Sequence, residues 1–221
     1  MTGDIPAPER RATPRGGDRR GEEHVETIRR LIRSCPWLMA VLATVRDAGD
    51  RFDLRCWVGA GAVRDLAWDT WFSAGTTGDP ADFDGSAVKD VDVVYFAAHD
   101  RDRSLEHDVR DALTSRRPDV AWDVKNQAAV HLWYRDRFGT AVEPLVSIAD
   151  AVGTWPETAT AVAVALGHDG SIDVVAPLGL DDLVGGIHRR NPRRVSLAEY
   201  RARMRRKRPA LRWPGVRVHV E

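Results

Sequence analysis

Apolar side chains recur at helical spacing from Glu22 onward: Val25, Ile28, Leu31 and Ile32, then, after an interruption at Pro36, Leu38, Met39, Val41, Leu42 and Val45 as far as Ala48-Gly49. That period predicts two linked helices. The pattern changes in "LRCWVGAGAVRDLAWDTWF", residues 54–72, which reads as a short strand, a glycine-containing turn and an amphipathic helix burying Val63, Leu66, Ala67 and Trp71. A loop rich in Gly, Thr and Asp, residues 73–89, leads into "KDVDVVYF", residues 89–96, a strand by its Val, Tyr and Phe. Leu105, Val109 and Leu113 at four-residue spacing predict the next helix. A strand over 120–125 then turns into a helix carrying Val130, His131, Leu132 and Tyr134.

Farther on, "ATAVAVALGHDGSIDVVAP" reads as two strands joined by a turn at His168-Asp169-Gly170, and "LGLDDLVGGI" as a short helix followed by glycine. The last helix, in "SLAEYRARMRRKRP", opens with Ser196 as N-cap and stops before Pro209. Residues 1–21 are dense in Pro, Gly and Arg and hold almost no large apolar residue, so they read as a disordered tail that cannot offset its ordering entropy. The expected fold class is α/β of the α+β type: a mixed sheet with flanking helices, over 22–187, and a basic helical C-terminal extension over 188–221.

Composition adds boundaries to this picture. With 221 residues, 43% of them hydrophobic, the chain can bury one catalytic-sized core. No apolar run approaches the roughly 18 residues that span a bilayer, and the Arg-rich N-terminus lacks the apolar stretch of a secretory signal, so a cytoplasmic protein without membrane contact is expected. Cys35 and Cys56 are isolated, in neither a CxxC pair nor a histidine cluster, and read as small buried apolar residues rather than disulfide or zinc ligands. The formal net charge of zero hides an uneven distribution: twelve Lys or Arg lie between His188 and Arg217 against the single acid Glu199.

Three features carry candidate chemistry. In a strand, residues two apart share a face, so Asp90 and Asp92 project together while Val91, Val93 and Tyr95 point the other way. Two carboxylates so close repel each other, and a hard divalent cation would remove that cost; magnesium takes one or two carboxylates with waters and substrate phosphates. On these two residues alone, a solvated strand start after a polar loop is the plainer explanation of the pattern. The second feature is "VGAGAVRD", residues 58–65, where Gly59, Ala60, Gly61 and Ala62 let backbone N–H groups approach a phosphate at a helix start; tight packing is the plainer use of such a turn. The third is "AWDVKNQ", residues 121–127, in which Asp123 interrupts an apolar strand and Lys125 shares its face. A further stretch, "TWPETAT", sets Glu157, Thr158 and Thr160 beside a tryptophan that could stack on a base, a structural turn being the equal alternative.

In this order, "GAGAVRD", "DVDVV" and the acid of "WDV" resemble the polymerase-beta-type nucleotidyltransferase superfamily. "GAGAVRDLAWD", "DVDVVYF", "WDVKNQAAVHLWY", "WPETATAVAV" and "APLGLDDL" are similar to the successive blocks of one bacterial branch of it, a nucleotidyltransferase family of unknown acceptor, so the resemblance covers roughly residues 24–215. "GAVRD" is also similar to the head domain of tRNA CCA-adding enzymes, with a longer segment from Gly61 to Asp90 here. The resemblance implies transfer of NMP from an NTP, ATP among them, to a hydroxyl with release of pyrophosphate. It implies Asp90 and Asp92 as ligands of Mg²⁺, two ions or Mn²⁺ in its place, and Asp123 as a further ligand or the base acting on the acceptor oxygen.

Arg64 and Lys125 are candidates to neutralise phosphate charge, although Arg64 equally suits a salt bridge to Asp65 or Asp69. On the last helix, Leu197, Tyr200 and Met204 pack inward and leave Arg201, Arg205, Arg206 and Arg208 as an outer stripe, suited to RNA as a polyanionic acceptor or simply solvated. Two rival functions remain at this point: a catalytically silent nucleotide- or RNA-binding protein, and a metal-dependent phosphohydrolase with water as acceptor.

Overall fold

The computed structural model describes residues 16–74 and 78–219. Two helices, α1 (Gly16–Arg33) and α2 (Pro36–Asp50), come first, followed by β1 (Trp57–Gly59), α3 (Gly61–Phe72), β2 (Val91–Tyr95), α4 (Ser104–Arg116), β3 (Trp122–Asn126) and α5 (Val130–Phe138). Next come α6 (Ile148–Val152), β4 (Ala163–Leu166), β5 (Ile172–Val175), α7 (Asp181–Val184), β6 (Ile187–His188), α8 (Leu197–Lys207), α9 (Pro209–Arg212) and β7 (Arg217–Val218).

Pro36 opens α2 instead of merely breaking the helical run, because its missing N–H costs nothing in a first turn and Cys35 Sγ accepts the Leu38 N–H as N-cap. α1 begins at Gly16, six residues ahead of the expected Glu22. Arg20 lies 3.2 Å and His24 3.9 Å from Asp181 of α7, ion contacts made by the turns that precede the first apolar residue of the pattern, Val25. The remainder of the expected tail, residues 1–15, lies outside the described residues.

Five strands form one mixed sheet in the order β3-β2-β1-β4-β5, in which only the β2–β3 pair is parallel. Alternation along the strands sends Val58, Val91, Val93, Tyr95, Val124, Val164 and Ile172 to one face, where α1, α2 and α4 cover them with Ile28, Ile32, Leu38, Leu42, Val109 and Leu113. This is the main core. The opposite face is divided. Over β1 and β4, Trp57, Ala163 and Ala165 are covered by Ile148 and Val152 of α6 and by Trp155. Over β2 and β3 the same face carries Asp92, Val94, Asp123 and Lys125 and borders an open cleft.

The C-terminal extension closes the molecule. Tyr200 and Met204 of α8 are buried as their spacing implies, Trp213 and Val216 join the main core, and β7 pairs in parallel with β6. A capping box at Ser196 and Glu199 fixes where α8 starts.

Candidate active site

Strand register brings the acids together. Gly59, Asp92 and Asp123 are Cα partners across β1, β2 and β3 and form one row over three strands. At its centre, Asp92 is partly buried and accepts a hydrogen bond from the Gly61 backbone N–H at the start of α3. Burial first, and then the charges of Asp90 and Asp123, push its pKa up to about 6. Asp90, just ahead of β2, is half-exposed beside Lys89 but close enough to act on Asp92 electrostatically. Lys125 Nζ pairs with Asp123 Oδ1, as the shared strand face requires.

The turn between β1 and α3 has two distinct parts. The Gly59 Cα lies against the indole of Trp155: a Cβ there would sit 2.2 Å from the ring. Tight packing, not phosphate approach, therefore explains this glycine. Ala60 adopts φ 49°, a conformation costly for a residue with a side chain, and lines the cleft. Gly61 is open, with nothing within 4 Å of where a Cβ would sit, whereas Ala62 is fully buried.

The cleft encloses about 1120 Å³. Of the residues the sequence singled out for the metal and nucleotide, Ala60, Asp92, Asp123 and Lys125 line it, as do Trp155 and Thr160 of the "TWPETAT" stretch. Gly59, Gly61, Ala62, Arg64 and Asp90 do not; they lie behind or beside the lining. Arg64 is almost wholly buried, bonded through Nε to Asp65 at 2.7 Å and stacked 4.9 Å from the Trp213 ring centroid, so the salt-bridge alternative describes its position in this structure.

Among the described residues, no three His, Cys, Asp or Glu side chains form a ready metal cage. The donor set still fits a hard cation. A buried carboxylate disfavoured by its own charge and by two neighbouring carboxylates gains from positive charge placed among them, and oxygen ligands suit magnesium.

A sequence profile of the family described as nucleotidyltransferase matches residues 51–218. The chain belongs to this nucleotidyltransferase family. No curated protein matches it. Among solved structures, it is similar to a protein whose NMR structure reveals a CCA-adding enzyme head domain, at 23% identity and a TM-score of 0.66, covering 88% of this chain and 95% of that one. It is also similar to a tRNA-processing enzyme in an apo form, at 16% identity and TM-score 0.50 over 82% of this chain. A CCA-adding enzyme in another apo form matches at 14% identity and TM-score 0.50 over 88% of this chain. This nucleotidyltransferase spans 44% of the length of each of the latter two. The likeness confirms the mixed-sheet head fold expected from the motifs.

The sequence pattern offers Glu157 either beside a tryptophan that could stack on a base or as part of a turn, yet in this nucleotidyltransferase it is a charge hub. Its carboxylate is fully buried and pairs with Arg203 Nε, with Lys207 Nζ at 3.4 Å, His188 Nε2 at 3.2 Å and Arg64 Nη1 at 3.7 Å. Burial opposes its charge, but the contact with His188 and the charges of His188, Lys207 and Arg203 outweigh it and hold the carboxyl well below its usual range. Lys207 also acts on Asp92, so the end of α8 reaches the acidic face electrostatically. Of the four arginines in the expected outer stripe, Arg206 lines the cleft; Arg201, Arg205 and Arg208 are exposed outside its lining. The charge run from Arg189 onward signals the cleft's basic wall, but not which of its members turn inward.

Proposed function

We propose that this nucleotidyltransferase transfers NMP from a magnesium-bound NTP to a hydroxyl acceptor, with the chemistry centred on Asp92. The observation that carries this reading is the alignment of Asp92 and Asp123 in one register row, in a cleft whose lining also carries Arg190, Arg194 and Arg206. Asp90, Asp92 and Asp123 would hold the metal, which when bound supplies positive charge to the triphosphate and to the attacking oxygen.

The protein's own groups divide the remaining work. Asp92, held by the Gly61 N–H, keeps an oxygen-rich edge fixed at the start of α3. Lys125 orients Asp123 and adds a cation beside it. As the acceptor oxygen bonds to the α-phosphorus, the bond from that phosphorus to the β-phosphate oxygen breaks and pyrophosphate leaves; Asp123 takes the hydroxyl proton. The strained Ala60 turn presents backbone at the cleft wall, where the nucleotide phosphates would lie.

Incubating the protein with Mg²⁺ and an NTP labelled on its α-phosphate tests the proposal against both rivals. Label on an acceptor supports transfer, label released as free NMP supports a phosphohydrolase, and binding without turnover supports a silent binding protein.

A further inference from the structure

The cleft is too basic for a molecule of zero net charge to have left unpaired by accident. Arg137, Arg190, Arg194 and Arg206 all line it, and none has a carboxylate partner within ion-pair distance among the described residues. Arg190 donates only to a backbone carbonyl, that of Val195, and its buried Nε has no protein partner. The neighbouring Arg193 and Arg203 show what satisfied arginines look like here, since they pair with Asp150 and Glu157.

Aromatic rings interleave with these cations. Trp133, Tyr134 and Phe138 of α5 line the same cleft, with the Tyr134 and Phe138 centroids 4.6 Å apart. The Arg194 guanidinium lies 5.2 Å from the Tyr134 ring centroid and that of Arg137 5.6 Å from the centroid of Phe138. Trp133 and Tyr134 are anchored on a small apolar cluster with Val130, Leu145 and Ala151, whereas Phe138 is 55% exposed, so this ring is not needed to close that cluster.

We infer that the Phe138 and Arg206 walls of this cleft form a binding site for the end of a single-stranded nucleic acid, which presents the accepting hydroxyl to the acidic row. The inference rests on the transfer reading for what happens to that hydroxyl, but the binding itself does not. Ring faces accept bases of any sequence, and unpaired guanidinium groups accept the phosphates between them. An acidic peptide would use the cations and leave the rings idle. A volume of about 1120 Å³ is at the upper end of what a single small ligand fills, leaving space for an acceptor end alongside a nucleotide. The site therefore places the polynucleotide inside the cleft, not along the outer stripe of α8.

Fluorescence anisotropy of a labelled single-stranded oligoadenylate, its deoxy counterpart and an oligoglutamate peptide tests this without NTP or metal, while calorimetry of Mg-NTP on the same preparations reads the nucleotide site. The oligonucleotides are expected to bind with steep salt dependence and the peptide far more weakly; the RNA-to-DNA ratio identifies which sugar is preferred. Phe138→Ala is expected to weaken the oligonucleotide about 5- to 140-fold, and Phe138→Trp to restore it. Arg206→Gln is expected to lower the slope of log affinity against log salt by about 0.7, and Arg205→Gln, one residue away but outside the cleft, to leave it unchanged. Absence of oligonucleotide binding at low salt, equal binding of oligoglutamate, an unaltered Phe138→Ala affinity, or equal effects of the two arginine changes would each overturn the inference. If Mg-NTP still binds in such a case, the transfer reading stands without it; if nucleotide binding is absent as well, both fall.

Discussion

Asp92 and Asp123 stand opposite each other across the parallel pair of β2 and β3, on the face of the sheet that the helical core leaves uncovered. Each lies two residues from an apolar or basic partner of the same face, Val94 and Lys125, and the same register step that buries Val91, Val93 and Val124 delivers both acids to the cleft. A slip of one residue would bury the carboxylates and expose the valines, so the hydrophobic pattern itself fixes which face carries the two acids.

An unneutralised carboxylate at Asp92 costs the fold stability. Its pKa is raised to about 6, so at neutral pH the metal-free protein holds a charge that burial and two neighbours disfavour. Asp92→Asn, whose amide oxygen can still accept from Gly61, is expected to stabilise the metal-free protein by on the order of 2 kcal/mol while abolishing transfer. Urea denaturation without divalent cation measures the first effect. A lowered midpoint would mean that Asp92 serves the fold more than the reaction.

Asp123 carries its own cation, Lys125. Asp123→Asn is expected to reduce kcat by about 10²- to 10⁴-fold with a much smaller change in nucleotide affinity, as for a group that acts on the acceptor's proton. Single-turnover rates combined with calorimetric Mg-NTP titration separate the two quantities. Losses of equal size in both would make it a metal ligand and no more.

Much of this is legible in the sequence because it depends on short-range periodicity. The two-residue alternation places Asp92 with Val94 and Asp123 with Lys125, whereas Asp90 falls just ahead of β2 and outside the cleft lining; four-residue spacing locates α4 and the inward side of α8. Trp68 is hidden beside Trp71, although it is the fully buried tryptophan of α3, its Nε1 donating to the Leu183 carbonyl 115 positions away. Glu157 is hidden for the same reason: its partners lie at positions 64, 188, 203 and 207, and only the folded chain assembles them. The five-residue α6 and the two-residue strands β6 and β7 are too short to show a period at all.

The Glu157 hub gives an acid limb to stability. Arg203 and Lys207 of α8, His188 of β6 and Arg64 of α3 all face its carboxylate, which is held well below the usual glutamate range. A lowered folded-state pKa contributes stability that is full above the unfolded value of about 4.3 and is lost as pH falls through the folded value. Glu157→Gln is expected to cost about 3–5 kcal/mol at neutral pH, because Arg203 and Lys207 lose their shared partner, and to flatten the decline in stability below about pH 4. Denaturant titrations across that range check both. A variant as stable as the parent at neutral pH, with the same acid decline, would contradict the hub.

Two glycines two positions apart should respond in opposite ways. At Gly59 an added Cβ meets the Trp155 ring at 2.2 Å, so Gly59→Ala is expected to destabilise by about 1–3 kcal/mol and to displace the indole toward the cleft. At Gly61, where a Cβ meets nothing within 4 Å, Gly61→Ala is expected to leave stability equal or raise it by up to about 1 kcal/mol. Thermal midpoints of the two variants provide the check, and equal destabilisation would refute the assignment of Gly59 to packing against Trp155.

The most direct measurement of the central claim uses an NTP labelled on its α-phosphate, Mg²⁺ and a cell extract separated into RNA, protein and small molecules, with the parent protein and the Asp92→Asn variant side by side. NMP transfer centred on Asp92 requires label to enter one acceptor fraction with the parent, in step with pyrophosphate release, and to be absent with the variant. Label appearing only as free NMP, or entering an acceptor equally with Asp92→Asn, would contradict it.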